Sequence, residues 1–290
     1  MHQISATSEP CKAGAAPGTG CSSVPDAEMT KGTKGYSHDA TERAARVARL
    51  GKLASRSPKM KLALAALKRT AGSELNLLIE GETGVGKELA AECVHHASRR
   101  SAGPFLVFDC AAKSANAGEL ELFGLEQDAS SCTPGMPGIL ELASGGTLLL
   151  DHVDELAMPS QARLLRAFEQ RRFRRIGGSE AIALDLRVIS ASSRSLGRAV
   201  RRRAFTRELH AHLGAAYVHL PPLRQRMEDL TLIAEEFLAS LQPPRDLSDI
   251  SDSVWAAFRE HRWPGNLREL RNALSYALLV PDHALRSRGP

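Results

Sequence analysis

The sequence predicts an α/β fold, in which a mostly parallel sheet is flanked by helices and followed by a small helical domain. Between residues 50 and 220, short apolar runs alternate with segments of helical periodicity. This alternation is typical of βαβ units with a parallel sheet. After Pro221-Pro222 no strong strand pattern remains, and the rest of the chain has the spacing of helices. In such sheets ligands bind at the carboxyl ends of the strands.

The composition is that of an ordinary globular protein, with 290 residues of which 43% are hydrophobic and 24% charged. There is no run of about 18 apolar residues, and the first residues lack the pattern of a secretory signal. We therefore expect a cytoplasmic protein without a membrane span. Residues 1–48 are polar and without apolar periodicity, which predicts a disordered leader. An α/β nucleotide-binding domain over 49–222 and a helical lid domain over 223–290 are expected to follow.

Neither the cysteines nor the net charge indicates a specific kind of site. The absence of a Cys-x2-Cys pair argues against a zinc site, and we interpret the cysteines as free thiols. They are Cys11, Cys21, Cys93, Cys110 and Cys132. The net charge is +5, and arginines cluster at 171–175 and 194–207. We interpret these clusters as solvated or subunit-facing arginines, with contact to a nucleic acid as the alternative.

Periodicity also predicts the individual elements. Met60, Leu64 and Leu67 recur at helical spacing after Ser57-Pro58, a pair typical of a helix start. Apolar strands are predicted at 77–79, 104–110, 146–151 and 186–191. Further helices are predicted at 87–98, 117–122, 160–170, 228–241, 252–260 and 266–279.

A glycine-rich turn follows the first of these strands. Gly81, Gly84 and Gly86 allow close backbone approach, so that successive N–H groups can point at a phosphate at the start of a helix. Lys87 comes next and can reach the β and γ phosphates of a nucleotide. The spacing fits the phosphate-loop pattern, although Glu88 stands where a hydroxyl that ligates Mg²⁺ is usual.

Five motifs occur along the chain in an order typical of one family. They are GETGVGKE at 81–88, ELFG at 121–124, GGTLLLD at 145–151, LPPLRQR at 220–226 and WPGNLREL at 263–270. In these motifs the chain resembles the AAA+ domain of the sigma-54-dependent bacterial transcription activators, over residues 53 to 279. That family's phosphate loop also carries Glu at the position of Glu88.

The resemblance implies an AAA+ P-loop NTPase fold that binds ATP or ADP with Mg²⁺. Carried over to this sequence, Asp151 would hold the metal, and Arg268 would sense the γ-phosphate from the helical lid. The implied nucleotide-binding residues are Gly81, Glu82, Thr83, Gly84, Val85, Gly86, Lys87, Glu88 and Arg268. In that family ATP hydrolysis in a ring drives a surface loop against sigma-54. A homo- or hetero-oligomeric ring with related activators is therefore also implied.

The residues that the resemblance assigns to hydrolysis are replaced in this chain. The glutamate that activates the attacking water corresponds to His152, the asparagine that gates it to Asp109, and a sensor asparagine to Ser193. Two arginines that enter a neighbouring subunit's site correspond to Thr206 and His212. Such arginines are worth about three to five decades in rate. We therefore predict an ATPase fold with impaired hydrolysis.

The segment DASSCT at 128–133 takes the place of the family's sigma-54-contacting loop and lacks its Phe and Thr. This argues against a direct contact with sigma-54 RNA polymerase. The family continues into a DNA-binding helix-turn-helix after the lid, whereas this sequence ends at Pro290. We therefore expect no DNA-binding domain.

The leading hypothesis is an ATP-binding regulatory or partner subunit in transcription control. One alternative is an active ATPase that remodels sigma-54 RNA polymerase, with His152 as its base and Arg207 replacing a lost arginine. Another is a non-catalytic module that joins related activators in mixed rings.

Overall fold

The computed structural model describes residues 47–112, 114–127 and 135–279. Most of the predicted leader, the segment at 128–133 and three cysteines (Cys11, Cys21 and Cys132) lie outside the described residues. Cys93 and Cys110 are buried free thiols, as predicted. Within the described ranges, no helix is long and apolar enough to cross a membrane.

A five-stranded parallel sheet forms the centre of the fold. Its strands are β3 (Leu77–Glu80), β4 (Phe105–Asp109), β7 (Thr147–Asp151), β10 (Arg187–Ser192) and β11 (Ala216–His219). They lie in the order β11-β3-β10-β7-β4, and every neighbouring pair is parallel. In the described part of the chain, three short antiparallel pairs lie outside it: β1 (Ala48–Leu50) with β2 (Leu53–Ser55), β5 (Gly124–Leu125) with β6 (Met136–Pro137), and β8 (Arg172–Phe173) with β9 (Ile182–Ala183). The predicted α/β fold is confirmed.

Helices connect the strands, and the described residues after β11 form helices, turns and loops only. Up to β11 they are α1 (Pro58–Ala71), α2 (Lys87–His96), α3 (Ala115–Phe123), α4 (Ile139–Leu142), α5 (Met158–Gln170), α6 (Leu196–Arg201) and α7 (Arg207–Leu213). The helical lid contains α8 (Leu230–Ala239), α9 (Asp252–Glu260) and α10 (Asn266–Leu279). Among the described residues, 3-10 turns lie at Val153–Glu155, Leu223–Gln225, Met227–Asp229 and Leu247–Asp249.

Both faces of the sheet are covered, which explains why its strands are continuous apolar runs. In β7, Leu148 and Leu150 belong to the core cluster that contains α5 and α7. Leu149 between them belongs to the cluster on the other face, with α1 and α2. Side chains that alternate along a strand therefore supply two separate cores.

The sequence analysis did not predict the edge strand β11. Val218 is its only buried residue, while Tyr217 is 55% exposed, so the segment has no continuous apolar run. Helix α8 begins at Leu230, two residues later than predicted, because a 3-10 turn occupies Met227–Asp229. The other predicted helices agree with the structure to within about two residues.

The lid has a core of its own around the buried Trp263, whose indole N–H donates to the carbonyl of Phe258 at 3.0 Å. It begins directly after β11 and returns to the sheet at the start of α10, where the N–H of Leu267 donates to the carbonyl of Gly84 at 2.9 Å. The lid therefore contacts the glycine-rich turn at the carboxyl end of β3.

Candidate nucleotide-binding site

The glycine-rich turn, residues 81–87, joins β3 to α2 and has the backbone that its glycines predict. Gly84 has φ +78° and Gly86 has φ +100°, which side-chain-bearing residues rarely adopt. A Cβ atom on Gly84 would also lie 2.3 Å from the carbonyl oxygen of Gly265 in the lid. Gly86 caps the N-terminus of α2, so the loop ends at a helix start that favours anions.

Lys87 is held inside this loop. Its Nζ donates to the carbonyls of Gly81 at 2.9 Å and Glu82 at 3.2 Å, and to Oγ of Ser193 at 3.0 Å. Burial lowers the pKa of Lys87, and the nearby carboxylates of Asp151 and Asp154 partly oppose this. The predicted site residue Ser193 is thus a direct neighbour of the phosphate-loop lysine.

Asp109, Asp151 and His152 come together at the carboxyl edge of the sheet. Asp109 and Asp151 are register partners in β4 and β7. The Nδ1 atom of His152 lies 3.1 Å from Oδ1 of Asp109 and 3.5 Å from Oδ2 of Asp151. An ionised carboxylate only accepts hydrogen bonds, so Nδ1 carries the proton in this contact.

The donor set fits a metal that is shared with a bound phosphate. Asp151 offers carboxylate oxygens, its Oδ1 already accepts the N–H of His152 at 2.9 Å, and its side chain is 20% exposed. The described residues contain no cluster of three or more potential ligands that could hold a metal alone. Mg²⁺ commonly binds through one or two carboxylates and substrate phosphates. Asp151 is therefore a suitable Mg²⁺ ligand.

A cleft of about 260 Å³ lies between the glycine-rich turn and α10. The predicted site residues that line it are Thr83, Gly84, Gly86, Lys87, Glu88, Asp151, His152 and Arg268. Arg268 contributes an exposed guanidinium from the lid. Val85, in contrast, is buried in the sheet core and does not line the cleft.

Glu82 also faces away from the cleft, toward the start of the lid. Its carboxylate accepts two hydrogen bonds from Arg224, at 2.6 and 2.7 Å, and one from Asn266 at 3.2 Å. The hydrogen bonds from Arg224 are the main reason that the pKa of Glu82 falls to about 2. Asn266 also donates to the carbonyl of Thr83 at 3.0 Å. Glu82 therefore joins the loop to the lid.

The sequence analysis did not identify Arg224 and Asn266 as site residues. Both lie within motifs that it used only for the family resemblance, LPPLRQR and WPGNLREL. The available signal was Asn266 after Pro264-Gly265 at a helix start, a pattern typical of a backbone turn. In the structure Asn266 has φ +54°, and its Oδ1 accepts the N–H of Leu223 at 2.8 Å.

A second cavity, of about 630 Å³, adjoins the cleft and shares Leu89, Leu267 and Arg271 with it. It lies between the β1–β2 hairpin and α8, and its apolar lining comes from Leu53, Ala54, Ile233 and Phe237. An apolar cavity beside an anion-binding loop suits a planar aromatic base joined to phosphates. The sequence analysis predicted neither the hairpin nor this lining.

Thr206 and His212, the positions that the resemblance assigns to two trans-acting arginines, pack against α5 of their own chain. Thr206 precedes α7 and its N–H donates to Oε1 of Gln161 at 2.9 Å. The ring of His212 stacks on Phe168 with centroids 5.3 Å apart and an interplanar angle of 5°. Burial lowers the pKa of His212. Arg207 is exposed.

Residues 53–219 match the family described as Sigma-54 interaction domain, and residues 224–285 match the AAA+ ATPase lid domain. The chain is 39% identical to the regulatory protein AtoC of Escherichia coli K12 over 233 residues, which cover 79% of this chain and 50% of AtoC. It is 40% identical to the phenol regulator MopR of Acinetobacter guillouiae over 220 residues, 75% of this chain and 39% of MopR. The chain thus spans half or less of these relatives.

The crystal structure of NtrX from Brucella abortus in complex with ATP has a similar fold, with a TM-score of 0.71 and 29% identity. That match covers 87% of this chain and 56% of the NtrX chain. The NtrX structure in complex with ADP matches with a TM-score of 0.71 and 31% identity, over 83% of this chain and 54% of that one. Together with the match over residues 53–219, this places the chain in the sigma-54 interaction domain family of AAA+ proteins, with an AAA+ lid.

Proposed function

We propose that this chain binds ATP or ADP with Mg²⁺, hydrolyses ATP slowly, and acts in transcription control as a regulatory or partner subunit. One arrangement carries the proposal. Lys87 and Asp151 line the cleft at the phosphate loop, while His152, bonded to Asp109, occupies the position of the water-activating glutamate. The residues for nucleotide binding, Lys87 and Asp151, are thus retained, whereas the residue for water activation is changed.

Nucleotide binding is supported by the charge and shape of the site. Lys87, Arg268 and the N-terminus of α2 converge on one cleft, and the adjoining apolar cavity can take the base. NtrX, which shares this fold, has been crystallised with ATP and with ADP. In our proposal Asp151 holds Mg²⁺, which neutralises phosphate charge when bound. Lys87 orients the phosphates.

Slow hydrolysis is supported by His152 in the cleft and by Thr206 and His212 at α7. Nδ1 of His152 contacts Asp109, so that carboxylate orients the imidazole ring. Neither Thr206 nor His212 carries the positive charge of an arginine finger. Loss of such fingers raises the barrier by about 4–7 kcal/mol.

We also propose that the chain assembles in a ring with related activators and acts in the cytoplasm. The proposed boundary between the α/β domain and the lid lies between residues 222 and 223. The family match favours contact with sigma-54, although residues 128–133, from which the sequence argued against it, lie outside the described residues. Binding of the full chain to purified sigma-54 decides this point.

The direct test is to measure ATP affinity and turnover on the purified full chain. We expect measurable binding of ATP and a turnover far below one per second. Lys87→Ala should weaken ATP binding at least tenfold, whereas Lys68→Ala, at an exposed lysine on α1, should leave it unchanged. Turnover near one per second, or no detectable ATP binding, would contradict the proposal.

Repeating the measurement with a competent activator present separates the alternatives. A partner subunit should co-purify with the activator and change its ATPase rate. An isolated nucleotide binder would do neither. An active ATPase would show turnover by itself that falls when His152 is changed to Ala.

A further inference from the structure

A cavity of about 580 Å³ is lined by five arginines and, among the described residues, by no carboxylate. The arginines are Arg163, Arg166, Arg172, Arg174 and Arg175. The first two lie on α5, and the others lie on or beside β8. Helix α5 packs on the face of the sheet opposite to α2, and the cavity shares no residue with the nucleotide cleft.

Two of these arginines are fixed by neighbouring groups. Arg175 donates to both carboxylate oxygens of Glu141, at 2.8 and 3.1 Å. The guanidinium of Arg163 lies 4.2 Å from the ring centroid of Phe123, and it donates to the carbonyl of Arg174 at 3.0 Å. These contacts hold two walls of the cavity in place.

The other three arginines, Arg166, Arg172 and Arg174, are exposed, and their side chains make no ion pair or hydrogen bond with any other described residue. Like charges around one concavity repel each other, and an anion that enters relieves that repulsion. Guanidinium groups bind phosphates in a bidentate manner, with more directional contact than lysine.

The structure divides the sequence cluster at 171–175. Arg171 lines a different cavity, together with His212. Arg163 and Arg166, from α5, line the arginine cavity with the remaining members of the cluster. No arginine of the second cluster, 194–207, lines the arginine cavity. The described residues therefore form a basic cavity here, open to solvent, and not a continuous basic track.

We propose that this arginine cavity binds a small molecule that carries two or more phosphate groups, as a second anion site separate from the nucleotide cleft. Its volume lies within the range of small-molecule sites. Gly177 leaves room in the lining, because a Cβ there would meet no atom within 4 Å. A nucleic acid is a poorer fit, since its phosphates require a track.

The test uses the full chain with Lys87→Ala, which removes the phosphate-loop lysine, and inorganic tripolyphosphate as the probe. We expect tripolyphosphate to bind and to raise the melting temperature, and to bind at least tenfold more tightly than inorganic phosphate. Adding Arg166→Ala, Arg172→Ala and Arg174→Ala should weaken that binding at least tenfold. Adding Arg262→Ala, at an exposed lid arginine, should not change it.

Stability separates loss of the site from loss of the fold. Because the three arginines repel one another, the variant lacking them should melt, without ligand, at the same or a higher temperature than its parent. Undiminished tripolyphosphate binding by that variant would overturn the proposal. So would arginine-dependent binding of a single-stranded oligonucleotide that tripolyphosphate fails to displace, because the surface would then serve a nucleic acid.

Discussion

Nδ1 of His152 lies 3.1 Å from Oδ1 of Asp109. By resemblance, His152 stands at the position of a catalytic glutamate, and Asp109 at that of the asparagine that gates it. Where the resemblance implies an acid and an amide, this chain has a base and an acid, so the pair differs in charge as well as in identity. Since the two side chains touch, the effects of changing them should not be additive.

Restoring both residues should raise ATP turnover. His152→Glu alone would put three carboxylates together, with Asp109 and Asp151, and their repulsion should limit the gain. The double variant Asp109→Asn/His152→Glu removes one of these charges, so we expect at least a tenfold rise in turnover, within the range of general-base catalysis. Steady-state ATPase assays on the wild type, both single variants and the double variant measure this. Equal rates for His152→Glu and the double variant would contradict the coupling.

Substituting Gly84 should damage the phosphate loop and the docking of the lid. Gly84→Ala forces an L residue to φ +78° and places its Cβ 2.3 Å from the carbonyl of Gly265. We expect a loss of about 2 kcal/mol in the free energy of unfolding and at least tenfold weaker ATP binding. Gly72→Ala is the matched control, since Gly72 has φ −73° and its nearest neighbour atom would be 3.7 Å away. That variant should be neutral or slightly stabilised.

The ion pair between Glu82 and Arg224 should make stability depend on pH. The pKa of Glu82 is lowered from 4.5 to about 2 in the folded state, so its contribution is fully present above 4.5 and is lost as the pH falls toward 2. Both side chains are about 40% exposed, so we expect Glu82→Gln to cost no more than about 1 kcal/mol at pH 7.

Urea unfolding at pH 7, 4 and 2.5 measures this effect. The difference between wild type and Glu82→Gln should shrink as the pH falls. Glu235→Gln, at an exposed carboxylate on α8, should show no such trend. A difference that stayed constant down to pH 2.5 would mean that the ionised carboxylate of Glu82 does not stabilise the fold.

Arg187 should be important for stability although it lies far from the nucleotide cleft. It is 1% exposed, and its guanidinium donates to the carbonyls of Thr70 at 2.7 Å, Leu75 at 3.2 Å and Ala71 at 3.4 Å. Arg187→Met leaves these carbonyls, at the end of α1 and in the loop that follows it, without that donor. We expect a loss of about 2 kcal/mol. Chemical denaturation checks it, with Arg198→Met, at an exposed arginine, expected within about 0.5 kcal/mol of wild type.

The features that the sequence predicted correctly depend on short stretches of chain. The parallel sheet follows from apolar runs such as Leu148–Leu150, in which neighbouring residues enter the two cores. The phosphate loop follows from the glycines around Gly84 and Gly86, because local backbone conformation restricts those positions to residues without a Cβ. The edge strand β11 has no such local pattern, because Val218 is the only buried residue in it. The sequence analysis therefore missed it.

Tertiary structure decided which side chains meet. Asp109 and His152 are 43 residues apart, and they touch because β4 and β7 are paired in a register that aligns Asp109 with Asp151. Glu82 lies in the phosphate-loop motif, yet the start of the lid draws its carboxylate away from the cleft. Within one run of arginines, Arg171 and Arg172 line different cavities. Local patterns thus determined the loop and the strands, whereas long-range packing set the direction of each side chain and hence the chemistry of the site.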